Sequence, residues 1–154
     1  MTTLGSVGVS ELSGTRVMVT GATSGLGAAM ASALSAAGAR VVVTSRERGR
    51  ARAAAERLGP EALGVALDVR DAAAVDATMA EVWDRLDGLD VLVNNAGIGM
   101  RTVNPRFLTD DTPPETRARL LDPAIMGPPI VWLASTRAAG VHDQRIVATE
   151  FAAR

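Results

Sequence analysis

Apolar and polar positions along this chain follow two rhythms that take turns. A short continuous apolar run is followed by a longer stretch with apolar residues three and four apart, and the cycle repeats. Arg16-Val17-Met18-Val19-Thr20 is rich in β-branched residues and stops at Gly21, which predicts a buried strand. From Ser24 to Ala37 the apolar positions Leu26, Met30, Ala33, Leu34 and Ala37 recur at helical spacing, and Gly38 stands where a helix is capped. Val41-Val42-Val43-Thr44 is a second strand, followed by an arginine-rich helix over about Glu47 to Leu58 that ends at Gly59-Pro60. Leu63 to Leu67 is a third strand. Asp71 caps a helix whose inner face is Val75, Met79, Val82, Trp83 and Leu86, with Gly88 as its stop. Asp90-Val91-Leu92-Val93 is a fourth strand.

Strands separated by helices with short connections leave one economical arrangement, right-handed parallel crossovers in an open sheet. The expected fold class is therefore α/β, a Rossmann-type doubly wound parallel sheet. Its regular part covers 15–97, behind an N-terminal tail at 1–14. The rhythm then breaks: 98–113 carries Pro105, Pro113 and the adjacent Asp110 and Asp111 with no apolar period. Thr112 and Glu115 form a capping box around Pro113, a second short helix starts near Pro128-Pro129 and ends by Gly140, and Arg145 to Phe151 reads as a last strand. The sheet is thus expected to be truncated, with four strands followed by a C-terminal remnant of helices and one strand at 114–154, all within a single domain.

Composition narrows the chemistry more than the fold. Of 154 residues 47% are hydrophobic and the formal net charge is −1, so no global field draws the chain to nucleic acid or an acidic membrane. Without cysteine there are no disulfides, thiolate metal sites or cysteine nucleophile, and no metal site is expected. No apolar stretch spans a bilayer and Met1 to Gly14 lacks a signal-peptide pattern, so a cytoplasmic location is the expectation. All 16 basic residues are arginine, tyrosine is absent, and His142 is the single histidine. Side chains that can carry a proton near neutral pH are nearly missing.

Gly21, Gly25 and Gly27 lie between the first strand and the first helix. The first allows a sharp turn, the second lets backbone approach a pyrophosphate, and the third lets helix pack on strand. A helix N-terminus then offers unpaired N–H groups to the phosphates. With this G-x-x-x-G-x-G spacing come Asp68-Val69 after the third strand and Asn94-Asn95-Ala96-Gly97 after the fourth. Together the three motifs resemble the classical short-chain dehydrogenase/reductase family, over roughly residues 14 to 100. The resemblance implies that Thr23, Ser24 and Leu26 contact diphosphate and ribose, that Asp68 accepts from the adenine amino group with Val69 on the ring, and that Asn95, Ala96 and Gly97 line the adenosine-ribose and nicotinamide side of the cleft. Asn94 is expected to tie neighbouring strand ends together. At the end of the second strand, where an NAD enzyme wants a carboxylate for the ribose 2′-hydroxyl, Ser45 and Arg46 suit a 2′-phosphate, so NADP(H) is favoured over NAD(H).

The family's chemistry rests on a serine and a Tyr-x-x-x-Lys pair beyond the fourth strand, and neither tyrosine nor lysine occurs here. Ser135 has no base nearby in sequence, and His142 reads as a surface residue. No catalytic residue is therefore assigned. The segments Pro114 to Arg117 and Met126 to Ser135, with the last strand, resemble the family's substrate-lid helices and final strand. Roughly 90 to 100 residues of a single-domain chain of about 250 would then be missing at a seam near Thr109 to Thr112. The expected function is that of an NADP(H)-binding oxidoreductase relative, catalytically incomplete on its own. The alternatives are a non-catalytic binding or regulatory module, a reductase whose proton donor comes from elsewhere, and a decayed gene product. An exposed sheet edge would also permit association with other chains, a full-length relative among them.

Overall fold

The computed structural model describes residues 10–98, 113–117 and 120–151. Four strands, β1 (Arg16–Val19), β2 (Arg40–Ser45), β3 (Leu63–Ala66) and β4 (Val91–Val93), form one sheet in the order β3-β2-β1-β4. All three pairings are parallel: Val17 lies beside Val41 on one side and Val91 on the other, and Thr44 lies beside Val65. The crossovers are α1 (Gly25–Ala36), α2 (Arg48–Leu58) and α3 (Ala72–Leu86), with α4 (Pro114–Arg117) and α5 (Gly127–Ala134) following.

Because side chains alternate across a strand, the sheet sorts its apolar residues onto two faces. Val17, Val19, Val41 and Val43 point into one layer with Ala31 and Leu34 of α1 and Ala54 and Ala55 of α2, while Ile130, Val131 and Ala134 of α5 pack at its margin. Met18, Val42, Val65 and Leu67 meet Val82 and Leu86 of α3 on the other. Gly64 lets α2 lie close on β3, since a Cβ there would run into the Ala51 and Arg52 backbone. Asp71 caps α3 as expected, its carboxylate accepting from the Ala73 and Ala74 amides at 3.0 and 3.2 Å.

The structure departs from the sequence reading in four places. Residues 10–14, expected to belong to a tail, fold onto the core: Leu12 is 1% exposed and its amide donates to the Ala37 carbonyl at 2.9 Å, closing the end of α1. Leu26, assigned to the inner face of α1, is 51% exposed because it sits in the first turn, beyond the sheet's edge of contact. Trp83 is likewise exposed at 58%. It lies one residue off the stripe of Val75, Thr78, Val82 and Leu86, and Thr78 takes the buried place with its hydroxyl donating to the Ala66 carbonyl. The last strand expected near Arg145 to Phe151 is not formed. Residues 144–147 carry no strand pairing, Ala148–Glu150 is a 3₁₀ turn, and Phe151 packs on Trp132 with ring centroids 5.7 Å apart. Trp132 is a buried apolar partner for Phe151, whereas a strand at the chain's end gains nothing without a neighbour beside it. The Thr112 half of the capping box and the seam at Thr109 to Thr112 lie outside the described residues.

At the N-terminal end of β1, Arg16 pairs side-on with Asp90, Nε to Oδ2 at 2.9 Å and Nη2 to Oδ1 at 2.7 Å, and also donates to the Asp87 carbonyl. The Arg16 amide donates to the same carboxylate at 2.8 Å. These bonds from Arg16 pull the Asp90 carboxyl down to about 2. A carboxyl depressed in the folded state stabilises above its unfolded value and loses that contribution as pH falls through the folded one. Wild type should therefore lose stability between about pH 4 and pH 2, and Asp90→Asn should be less stable at neutral pH with a shallower loss over that window. Urea denaturation at stepped pH checks both slopes.

Candidate functional site at the carboxyl end of the sheet

The loops that follow the strands meet at one edge of the sheet, where ligands of open α/β folds bind. Gly21 has φ +65°, a conformation that suits glycine, and a Cβ there would lie 2.9 Å from the Ala96 Cα, so the first loop and the segment after β4 run in backbone contact. Gly27, buried at the start of α1, would drive a Cβ into the Asn95 amide and to 2.7 Å from the Gly21 carbonyl. Gly25, at φ +58°, has nothing within 4 Å of such a position. One glycine is therefore required by the turn and another by close packing, while the middle one faces open space.

Thr20 joins the two segments. Its hydroxyl accepts from the Asn95 amide at 3.0 Å and the Ala96 amide at 2.9 Å and donates to the Val93 carbonyl at 3.3 Å, which uses everything a hydroxyl offers. The Asn95 side chain donates back to the Thr20 and Gly21 carbonyls at 2.9 and 3.2 Å. From the other side, Thr44 of β2 accepts from the Gly21 amide with its hydroxyl and from the Ala22 amide with its carbonyl. The expected tie between strand ends exists, but Asn95 makes it and the exposed Asn94 does not. Asn95 sits beside Gly27 and Gly21, the two glycines with no side chain to exclude its amide. Thr20 and Thr44 went unassigned from the sequence, although a threonine closing each strand was the available sign.

The other expected residues surround this frame. Ser24 precedes α1 in extended conformation, exposed, with its side chain making no capping bond, and Thr23 is half-buried. Gly25 and Leu26 are exposed beside it, and so are Ala96 and Gly97 across the cleft. Ser45 ends β2, its hydroxyl accepting from the Glu47 amide, and Arg46 is exposed just beyond. The Leu67 amide donates to the Ser45 carbonyl at 2.8 Å, which brings the Asp68-Val69 turn alongside. Asp68 is paired with Arg70, whose bonds hold its carboxyl well below the usual carboxylate range with a smaller contribution from Arg46. Val69 is 47% exposed. Ser135 lies elsewhere, at the end of α5, with its hydroxyl on the Trp132 carbonyl at 2.7 Å, and His142 is exposed. A cleft of about 550 Å³ between α2 and the start of β3, lined by Arg48, Arg52, Glu56, Leu63 and Arg85, is separate from the glycine loop. Among the described residues no group of acidic or histidine side chains could hold a metal, and no helix is long and apolar enough to cross a membrane.

Replacing Thr20 by valine keeps the shape and removes the acceptor of two part-buried amides, so Thr20→Val should destabilise by about 1–3 kcal/mol in all. Asn94→Ala, at an exposed position, should stay within about 0.5 kcal/mol of wild type. Urea unfolding of both variants measures the difference, and equal effects would contradict the assignment of the tie to Asn95.

This arrangement has close counterparts among known proteins. Residues 15–121 match the family described as short chain dehydrogenase. A sorbitol dehydrogenase from Cereibacter sphaeroides is 42% identical over 88 residues, which is 57% of this chain and 34% of that protein. A 3-oxoacyl-(acyl-carrier-protein) reductase from Vibrio harveyi is 39% identical over 101 residues, 66% of this chain and 41% of the other. The crystal structure of a 3-ketoacyl-(acyl-carrier-protein) reductase from Brucella melitensis, complexed with NADH, superposes with a TM-score of 0.55 at 41% identity, covering 57% of this chain and 36% of that one. The chain spans about a third to two-fifths of the length of these relatives. With the parallel sheet, the glycine loop and a match over more than half its length, the chain belongs to the short chain dehydrogenase family.

Proposed function

We propose that this chain binds a nicotinamide dinucleotide, NADP(H) in preference to NAD(H), across the carboxyl end of its sheet, and that it does not complete an oxidoreductase reaction by itself. The observation that carries the binding is the loop built by Gly21, Gly25 and Gly27. Its backbone is pinned from both sides by Thr44 and Asn95, yet the space over Gly25 and the Ser24 hydroxyl are left clear. A rigid loop with open backbone at the start of a twelve-residue helix suits a diphosphate, because the unpaired amides and the helix dipole both favour anions. Thr23, Ser24, Gly25 and Leu26 would hold the diphosphate and its ribose, Asp68 and Val69 the adenine, and Ala96 and Gly97 the side toward the nicotinamide. In this reading Asn95 serves the site by fixing the loop.

The preference follows from the end of β2. No carboxylate stands at Ser45 or Arg46 to take a ribose 2′-hydroxyl, and the Arg46 guanidinium makes no ion pair among the described residues. A guanidinium and a hydroxyl match a phosphate's acceptors. NADPH should bind more tightly than NADH, on the order of tenfold to a hundredfold for one charge-assisted contact. Arg46→Asp should invert the order. Calorimetric titration of both proteins decides this, and equal affinities unchanged by the substitution would remove Arg46 from the site.

The bound dinucleotide would supply hydride transfer at its nicotinamide ring, but this chain has nothing suited to the accompanying proton. Tyrosine and lysine are absent, Ser135 is committed to a helix end, and His142 is exposed. A positioned acid or base contributes about 10²–10⁴-fold, and alignment of the reacting groups adds to that. The purified chain with NADPH should therefore show no substrate-dependent oxidation across a panel of ketones and aldehydes. Turnover that disappears in His142→Ala would overturn this and make the histidine the acid.

A further inference from the structure

Beyond the loop that would hold the diphosphate, the adenine end of the cleft carries a charge arrangement of its own. The Arg70 guanidinium takes both oxygens of Asp68, Nε to Oδ1 at 2.9 Å and Nη2 to Oδ2 at 2.6 Å, and the Arg70 amide adds a third bond to Oδ1 at 3.1 Å. A carboxylate has about four lone-pair positions, so three are filled and one on Oδ2 stays open. The Arg70 side chain is 77% exposed and Asp68 32%, and an exposed pair of this kind contributes little to folding. Arg46 lies close enough for its charge to act on Asp68, yet forms no ion pair with it. The bond from Leu67 to Ser45 fixes the two loops side by side.

We propose that Arg70 is a positioning residue for dinucleotide selection: by occupying Asp68 it keeps Arg46 free to receive a 2′-phosphate. This rests on the binding mode given above. Asp68 is an anion next to the place where another anion would bind, and it has two arginines within its field. Were Arg70 absent, Arg46 would be the remaining guanidinium among the described residues whose charge acts on Asp68. A paired Arg46 would no longer be available to the phosphate, and the bare carboxylate would repel the phosphate as well. With Arg70 in place the carboxylate is neutralised and fixed in orientation, and its single open lone pair on Oδ2 can accept one N–H from the adenine amino group. Arg70 therefore acts on the phosphate through Asp68 and Arg46 without touching it.

The experiment titrates the full chain with adenosine 2′,5′-bisphosphate and with 5′-AMP and reads the ratio of the two affinities. Arg70→Ala should lower the ratio by roughly fivefold to tenfold, mostly through weaker binding of the bisphosphate. Adding Asp68→Asn to that variant should restore the ratio, because no carboxylate remains to capture Arg46 while the amide oxygen still accepts from adenine. Loss of folding is excluded by matched far-UV circular dichroism and urea midpoints, and a merely structural arginine would not be rescued by the second substitution. An unchanged ratio in Arg70→Ala, or a lowered ratio that Asp68→Asn fails to restore, overturns the role of Arg70 while wild-type preference stands. Wild type that binds neither probe, or both equally, overturns this proposal together with the binding or the preference on which it rests.

Discussion

The Thr20 hydroxyl is the bond on which the cleft depends. In a parallel sheet the strands are joined by ladders in their middles, and their carboxyl ends are free to splay where the loops depart. Here β1 and β4 are locked at that end, because one buried hydroxyl serves two amides of the segment after β4 and a carbonyl of β4 itself. The lock fixes Asn95, whose side chain then holds the Gly21 turn, and α1 can approach only because position 27 has no side chain. The geometry of the glycine loop is thus a consequence of strand pairing transmitted through a few bonds. The Arg16–Asp90 pair performs the corresponding service at the opposite end, so that three-residue β4 is anchored to β1 at both termini.

How much of this was legible in the residues follows from the range of the interactions. The parallel pairing and the helix between successive strands follow from local rhythm and short connections, and the sheet confirms them. Three glycines between a strand and a helix announced their turn because a backbone requirement is written in the residue itself. Leu12 could not be assigned, because its burial depends on the end of α1 and its hydrogen bond on Ala37, twenty-five positions on. Asn94 and Asn95 are chemically identical, and which of them turns toward the neighbouring strand depends on the pleat where β4 ends. Trp83 looks like a core residue by type and falls outside the core by angle, since its stripe was already filled by Val82 and Leu86.

The two faces of β4 are covered unequally. Among the described residues the strand order leaves β3 and β4 as the two edges. On one face Val91 and Val93 are partly covered by the layer that includes α5, whereas Leu92 on the other face is 47% exposed. Among the described residues α3 is the only helix that contributes to the buried cluster on that face, and its residues meet Met18 and Val42, not Leu92. A long apolar edge would invite pairing with other chains, and three residues is a short one.

That asymmetry also explains the course of the C-terminal segment. Its helix α5 packs against α1, with Gly127 approaching Ala33, and so lies on the face that is already complete. Trp132 is buried there, and Phe151 packs against it. Residues 144–147 have the β-branched character of a strand but would need another strand alongside to satisfy their amides in a buried ladder. The aromatic contact gives the chain's end a place on a formed surface without that requirement. Docking on the helical layer stabilises the end locally.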